Sequence, residues 1–373
     1  MANSFSQFWS SLSSGLFKKG DDSFLGVDLG SSSVKVIQLR RDKGQAVLET
    51  YGELSTGPYS GLSVGQVGKI DTKKLAELMH DLFREANITA RQGAMAIPLK
   101  SSLITSVDFP KMPEDKIAQM IPMEARKYVP VPVSEVELDW SIIPRKPSDE
   151  PEGNQSSVDE NNKMEVLIVA IHKDIMKRYQ QLASVLGVEV QFLEIETFSA
   201  MRSVLRGDLS AMAVVDIGAA STKTVVVDYG AVRLSHTIDK GSQDISASLS
   251  RSLGVSFGKA EQIKREVGLL DRDTGQSTAS ASPIVEYIFS EVNQVMVNYQ
   301  KKYNRAIDRV VLIGGGALLK GLMPIAEKNV YAPVELGHPF SRVESPDFME
   351  DILKEVGPGF AVSIGLALRG LSD

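Results

Sequence analysis

Asp28, Gly30, Ser33 and Lys35 in VDLGSSSVKV recur in type and spacing as Asp216, Gly218, Ser221 and Lys223 in VDIGAASTKTVV. β-Branched apolar residues lead into each copy and a second apolar run leads out, which is the pattern of a β-hairpin closed by a hydroxyl-rich turn. Such a turn offers successive backbone N–H groups and hydroxyls to an anion, and Gly30 and Gly218 let the backbone approach closely. Ser31, Ser32 and Ser33 in the first copy and Ser221 and Thr222 in the second are the candidate hydroxyl donors, with Lys35 as a cation beside them. Asp28 and Asp216 repel phosphate oxygens directly, but each can hold Mg²⁺ through water and so neutralise a polyphosphate. One copy alone reads equally well as an ordinary tight turn. Two copies with matched spacing read as facing halves of one phosphate site.

A third glycine cluster follows in RVVLIGGGALLKGL, where an apolar strand from Arg309 to Ile313 runs into Gly314, Gly315 and Gly316 and then a helix. Many α/β proteins contain a strand, a glycine run and a helix start, so the cluster is weak evidence alone. Its position after the two hairpins gives it weight.

This order resembles the actin-like ATPase superfamily, which includes Hsp70 and sugar kinases: a first phosphate turn, a connecting helix, a second phosphate turn, then an adenosine motif. The resemblance covers most of the chain from Phe24 onward and implies a two-lobe α/β fold of duplicated RNase H-like domains that binds ATP with Mg²⁺. It places LEIETFSAM in the connecting segment, with Glu196 as the catalytic candidate that orients an attacking water. By its own position Glu196 also reads as a helix-start carboxylate favoured by the dipole. Glu261 and Lys264 in GKAEQIKRE match the helix that touches adenine and ribose, the three glycines match the adenosine motif, and FAVSIGLAL matches a last helix returning to the first lobe. The second turn reads GAAST, with less backbone freedom than glycine-rich relatives, and Thr197 stands where many relatives carry Pro. Both departures favour nucleotide binding with weak or slow hydrolysis at most.

The elements that position these residues divide the chain. With 373 residues and 43% apolar content it can bury two sizeable cores. Forty-one basic against forty-seven acidic residues give a net charge of -6, which argues against a general nucleic-acid surface. The absence of cysteine excludes disulfides and thiolate chemistry, and four scattered histidines make a structural zinc site implausible. No apolar run reaches the roughly 18 to 20 residues needed to span a bilayer, and no signal peptide is evident, so the expected compartment is the cytoplasm.

We expect an amphipathic segment at 1–22, a first lobe at 23–90 rejoined by 194–210 and 357–373, an inserted α/β module at 91–193, and a second lobe at 211–356. In the N-terminal segment Phe5, Phe8, Trp9, Leu12, Leu16 and Phe17 recur at helical spacing ahead of Lys18 and Lys19, which suits a membrane interface, a partner or its own lobe. Asp71 and Thr72 can cap a helix whose Leu75, Leu78, Met79, Leu82 and Phe83 form one apolar face. Within the module we expect strands GAMAI, SLITSVDF, VELDWSII, MEVLIVAI and VEVQFL, and helices from Glu114 to Tyr128 and from Lys173 to Leu186. The runs 147–163 and 271–282 read as mobile loops, and GPYSGLSVGQVG at 57–68 as a surface loop.

An insertion in the first lobe narrows the resemblance to the FtsA and PilM branch, and MIPMEARKYVPVPVSEVELDW is similar to the PilM pattern of a helix, a Pro-rich turn and an acidic strand. The inserted subdomain is then of the SHS2-like, 1C type. The PilM resemblance implies a cytoplasmic ATP-binding scaffold and switch of type IV pilus assembly, peripheral at the inner face of the inner membrane. It implies binding of the cytoplasmic tail of PilN, with other pilus platform proteins and self-association as further contacts, and membrane association through a partner or the N-terminal segment. An FtsA-like filament-forming division protein is the alternative, weakened by the lack of a C-terminal amphipathic helix. A sugar kinase on the same fold would need a carboxylate base and a polar pocket that the sequence does not offer.

Overall fold

The computed structural model describes residues 23–143, 163–205, 207–269 and 281–372. The N-terminal stripe and nearly all of the runs 147–163 and 271–282 lie outside the described residues; Lys163 opens a strand and Ser282 a helix.

The chain begins with β1 (Ser23–Leu29), β2 (Ser33–Asp42) and β3 (Gln45–Ser55), a meander whose alternating apolar positions are buried on the core side. Helix α1 (Thr72–Glu85) starts where the Asp71 side chain accepts from the Lys74 amide, and Leu75, Leu78, Met79 and Leu82 form its buried face. Strand β4 (Gln92–Ile97) then pairs in parallel with β1. Next come β5 (Ser102–Pro110), α2 (Glu114–Ala125), β6 (Val136–Ile142) and β7 (Lys163–His172). Helix α3 (Lys173–Leu186) stops at Gly187 and leads through β8 (Glu189–Ile195) to α4 (Glu196–Val204).

The second half repeats the first. Strands β9 (Met212–Ile217), β10 (Thr222–Asp228) and β11 (Ala231–Ile238) form a meander, followed by α5 (Ser242–Leu253), α6 (Phe257–Glu266) and α7 (Ser282–Tyr303). Strand β12 (Arg309–Ile313), α8 (Leu322–Asn329), β13 (Val334–Leu336), α9 (Glu350–Val356) and α10 (Ala361–Ser372) complete the chain. The first sheet has the order β3-β2-β1-β4-β8 and the second β11-β10-β9-β12-β13, each with three antiparallel strands and two parallel additions. This duplication is the actin-like α/β fold expected from the sequence. One face of the second sheet, with Met212, Val214, Val225 and Ile313, shares an apolar cluster with the first sheet, so the two halves meet on a common core.

Three boundaries differ from expectation. Strands β4 and β8 pair in the first sheet, so the inserted module is the three-stranded sheet β5-β7-β6 with α2 upon it. A short apolar strand carries no local mark of the sheet it will join; distant pairing decides that. Helix α2 ends at Ala125, short of Tyr128, where the chain tightens into turns with the Lys127 amide donating to the Glu124 carbonyl and the Tyr128 amide to the Ala125 carbonyl. Phe340, Val343 and Leu353 pack on Ile37, Leu39 and Leu48 of the first sheet, so the segment from about 339 onward returns to the first lobe earlier than expected.

Helices α4 and α10 cross closely: a Cβ at Gly365 would lie 1.7 Å from the Ser199 carbonyl oxygen. Gly365→Ala therefore forces the helices apart and should cost at least ~2 kcal/mol. Urea unfolding of the variant against wild type measures this.

Candidate nucleotide cleft

Both hairpin turns close onto one cavity of about 270 Å³ between the two halves. In each hairpin the aspartate and lysine are cross-strand partners: Asp28 opposite Lys35, and Asp216 opposite Lys223. Period-two alternation sends both members of each pair to the same face of its sheet. Asp28, Gly30, Ser31, Ser32, Ser33, Lys35, Asp216, Gly218, Glu196, Glu261, Lys264, Gly314, Gly315 and Gly316 all line this cavity.

Ser221 and Thr222 do not line it. Thr222 is fully buried and its hydroxyl donates to the Lys240 carbonyl, while the Ser221 carbonyl accepts from the Gly218 amide to close the turn. Thr222 lies one residue before Lys223 on the strand and so faces away. The cavity also has walls that the sequence reading left unassigned: Glu53, Gly65, Lys223, Ser242, Arg265, Pro358 and Gly359. Gly65 belongs to the run 57–68, which is therefore no simple surface loop. A Cβ there would meet the Glu261 carboxylate at 2.5 Å, and the Val67 amide donates to Gln243 of α5 across the cleft. Nothing local in that run signals contact with a distant helix.

Four carboxylates and two lysines set the field. Lys35 donates to Ser33 Oγ at 2.8 Å and pairs with Glu53 at 3.2 Å. Lys223 sits between Glu196, at 3.1 Å, and Asp216, at 3.5 Å. Burial alone would lower the Lys223 pKa, but Asp216 and Glu196 outweigh it and hold the ammonium firmly protonated. Burial raises Asp28 to about 7; Lys35 and Lys223 oppose this, while Glu196 and Asp216 push further up. Asp28 from one hairpin thus senses the charges of the other.

That shift has a pH consequence. An unfolded Asp28 ionises near 4 while the folded one keeps its proton to about 7, so its contribution to stability is full below pH 4 and falls as pH rises to 7. On a reading of the cleft as a magnesium–nucleotide site, a cation beside Asp28 would compete with the proton, and nucleotide affinity should then increase from pH 6 to pH 8. Titrations at fixed free Mg²⁺ test this, and a flat profile would remove Asp28 from the cation site.

On the other side of the cavity, Ser256 caps α6 by accepting from the Lys259 amide, and the helix presents Glu261 and Lys264. Glu261 is buried, and although burial would raise its pKa, Lys264 at 2.7 Å, Ser246 and Arg265 hold it below the ordinary value. Lys264 also donates to the Ser242 carbonyl at 3.1 Å. Opposite, Gly314 adopts φ +85°, and a Cβ there would lie 2.2 Å from Asp216 Oδ1, so only glycine lets β12 turn beside the acidic residue. The Gly314 amide donates to the Pro358 carbonyl, which draws the 357–360 turn toward Lys35.

The donor set suits a water-mediated cation. Among the described residues no group of three or more His, Cys, Asp or Glu side chains could enclose a metal directly. Two aspartates facing a polar cleft, one of them kept partly neutral mainly by burial, would suit a hydrated Mg²⁺ when phosphates supply further oxygens. No helix among the described residues is long and apolar enough to cross a membrane.

This architecture matches known proteins. The type IV pilus assembly protein PilM family matches residues 26–371. The chain belongs to that family. A solved PilM–PilN type IV pilus biogenesis complex superposes with a TM-score of 0.76 at 23% identity, covering 93% of this chain and 98% of that one. An MreB of Spiroplasma citri bound to AMPPNP gives a TM-score of 0.52 at 11% identity, over 93% of this chain and 95% of that one. Among curated relatives, the cell division protein FtsA of Helicobacter pylori strain J99 is 26% identical over 54% of this chain and 46% of its own length. The chain thus spans about half the length of the first curated relatives it matches. FtsA of Streptococcus pneumoniae is 22% identical over 93% of this chain and 82% of its own length. Family membership and the actin-like fold agree with the sequence reading.

Proposed function

We propose that the cleft binds ATP with Mg²⁺ and that the chain acts as a nucleotide-dependent scaffold at the cytoplasmic face of the inner membrane, holding the cytoplasmic tail of a PilN-type membrane protein. The observation that carries this reading is the convergence of two hairpin turns and a glycine turn on one cavity whose walls alternate amide donors, lysines and carboxylates. Asp28 and Asp216 would hold the metal, which when bound supplies the positive charge that neutralises the triphosphate. Lys35 and Lys223 flank the phosphates, the 30–33 turn donates amides, Gly218 lets the backbone approach closely, and α6 with the 314–316 turn holds the nucleoside.

Hydrolysis is at most slow on this reading. Glu196 accepts from Lys223 through one oxygen and from the Leu99 amide through the other, so a water must be oriented through the remaining lone pairs of a carboxylate already fixed by two donors. Tail binding draws support from the similarity to a solved PilM–PilN complex over nearly the whole chain.

Calorimetric titration of a peptide matching the partner's tail, with and without Mg·ATP, tests the switch; equal affinities would leave no physical basis for one. Lys264→Ala removes a charge-assisted contact and should weaken ATP binding by about 1–2 kcal/mol. An unchanged affinity would move the nucleoside away from α6.

A further inference from the structure

Glu196 joins three parts of the molecule. It is the first residue of α4 and is buried; one carboxylate oxygen accepts from Lys223 Nζ of the second half, and the other accepts from the Leu99 amide at 2.7 Å. Leu99 opens the single turn Leu99–Ser101 between β4 of the first sheet and β5 of the inserted module. This amide is the point at which the chain leaves the lobe for the module.

The module is fastened again at its far side. Glu165 of β7 is buried and accepts from Arg233 of β11 at 3.2 Å, and from Lys302 at 2.8 Å and Tyr303 at 2.5 Å of α7. Lys302 also donates to Ser106 of β5. The three-stranded sheet is therefore held between a fixed polar anchor on the second lobe and the Glu196 tether at its root.

We propose that Glu196 is a phosphate-sensitive tether that relays nucleotide state into the inserted module through the Leu99 amide. The argument rests on the reading of the cleft as a triphosphate site. A terminal phosphate seated between the hairpins attracts Lys223, which already lies between two carboxylates and has no reason to prefer Glu196 over a more highly charged oxyanion. Glu196 then loses its cation, and its remaining donor is the Leu99 amide. The carboxylate must rotate to find new donors or shift toward that amide, and either movement displaces the first turn of the module. ADP, which lacks the terminal phosphate, leaves Lys223 on Glu196. Coupling here needs no long chain of side chains: the sensor and the module root share one carboxylate.

Hydrogen–deuterium exchange on the full chain, nucleotide-free and saturated with Mg·ATP or Mg·ADP, reads the relay directly. Exchange across residues 99–110 should change by at least about threefold with ATP and little with ADP. Leu99→Pro deletes the amide donor at a position where Pro98 already has the extended backbone that a following proline requires. It should bind ATP yet lose the response, whereas Leu99→Ala, which keeps the amide, should retain it. If Leu99→Pro does not fold, Lys223→Met serves: its nucleotide-free exchange across 99–110 should already resemble the ATP state of wild type. A response that persists in Leu99→Pro, or wild-type protein that binds ATP with no change at 99–110, overturns the relay while the nucleotide reading stands. Absence of ATP binding in a separate titration overturns both.

Discussion

Asp216→Asn should lower magnesium-dependent ATP affinity by at least about 100-fold, or roughly 2.7 kcal/mol, while leaving binding measured in EDTA almost unchanged. The side chain keeps its size, and size matters here because Asp216 Oδ1 lies against the Gly314 turn. Only the charge is lost. Two consequences follow: a hydrated cation loses one of its two carboxylates, and Lys223 retains Glu196 as its sole carboxylate neighbour within 4 Å among the described ion pairs. The second effect leaves the lysine available to an incoming phosphate, so binding without metal changes little. Titration of a fluorescent ATP analogue with and without Mg²⁺ separates the contributions. An affinity equal to wild type in Mg²⁺ would remove the metal role of this residue.

Much of the cleft was legible because its chemistry is local. An aspartate, a turn and a lysine within one hairpin fix their own register, so Asp28 opposite Lys35 and Asp216 opposite Lys223 follow from alternation within one short segment. The same alternation, carried one residue further, excludes Thr222 from the cavity: if Lys223 faces the cleft, its neighbour faces the core, where the structure puts it. Lys223 was visible in the motif but unassigned, since a lysine opposite an aspartate reads first as that residue's own ion pair. Its second partner, Glu196, comes from another helix and left no trace in the local pattern.

What distance in the chain decides was not legible. GAMAI and VEVQFL have the same composition whether they join the module or the lobe, and pairing of Leu25 with Gly93 settles the matter. The 57–68 run has turn residues throughout and no apolar period, so its contact with Glu261 depends wholly on how the two halves approach. The return of Phe340 and Leu353 to the first sheet is likewise a tertiary fact, since apolar residues in a mostly irregular segment do not name the core they enter.

Removal of one further carboxylate should have the largest effect on stability. Glu194, near the end of β8, is 3% exposed and accepts from Arg202 through both oxygens at 2.7 Å, from Arg369 at 2.7 Å and from Ser199. Burial would raise its pKa, but the two guanidinium groups and the serine outweigh it and hold the carboxyl below its ordinary value. Its contribution is therefore present above the unfolded pKa and is lost as pH falls through the lower folded one. Glu194→Ala leaves Arg202 and Arg369 facing each other without an anion and should cost about 3–5 kcal/mol; Glu194→Gln, which keeps an acceptor, should cost less. Urea unfolding at neutral pH measures both, and a loss below about 1 kcal/mol would show the cluster to be solvated. The effect extends to the cleft. Arg202 belongs to α4 and also donates to the Gly365 carbonyl of α10, so Glu194 locks the helix whose first residue is Glu196. A partly destabilised Glu194→Gln protein should accordingly bind ATP more weakly, although residue 194 itself lies outside the cavity.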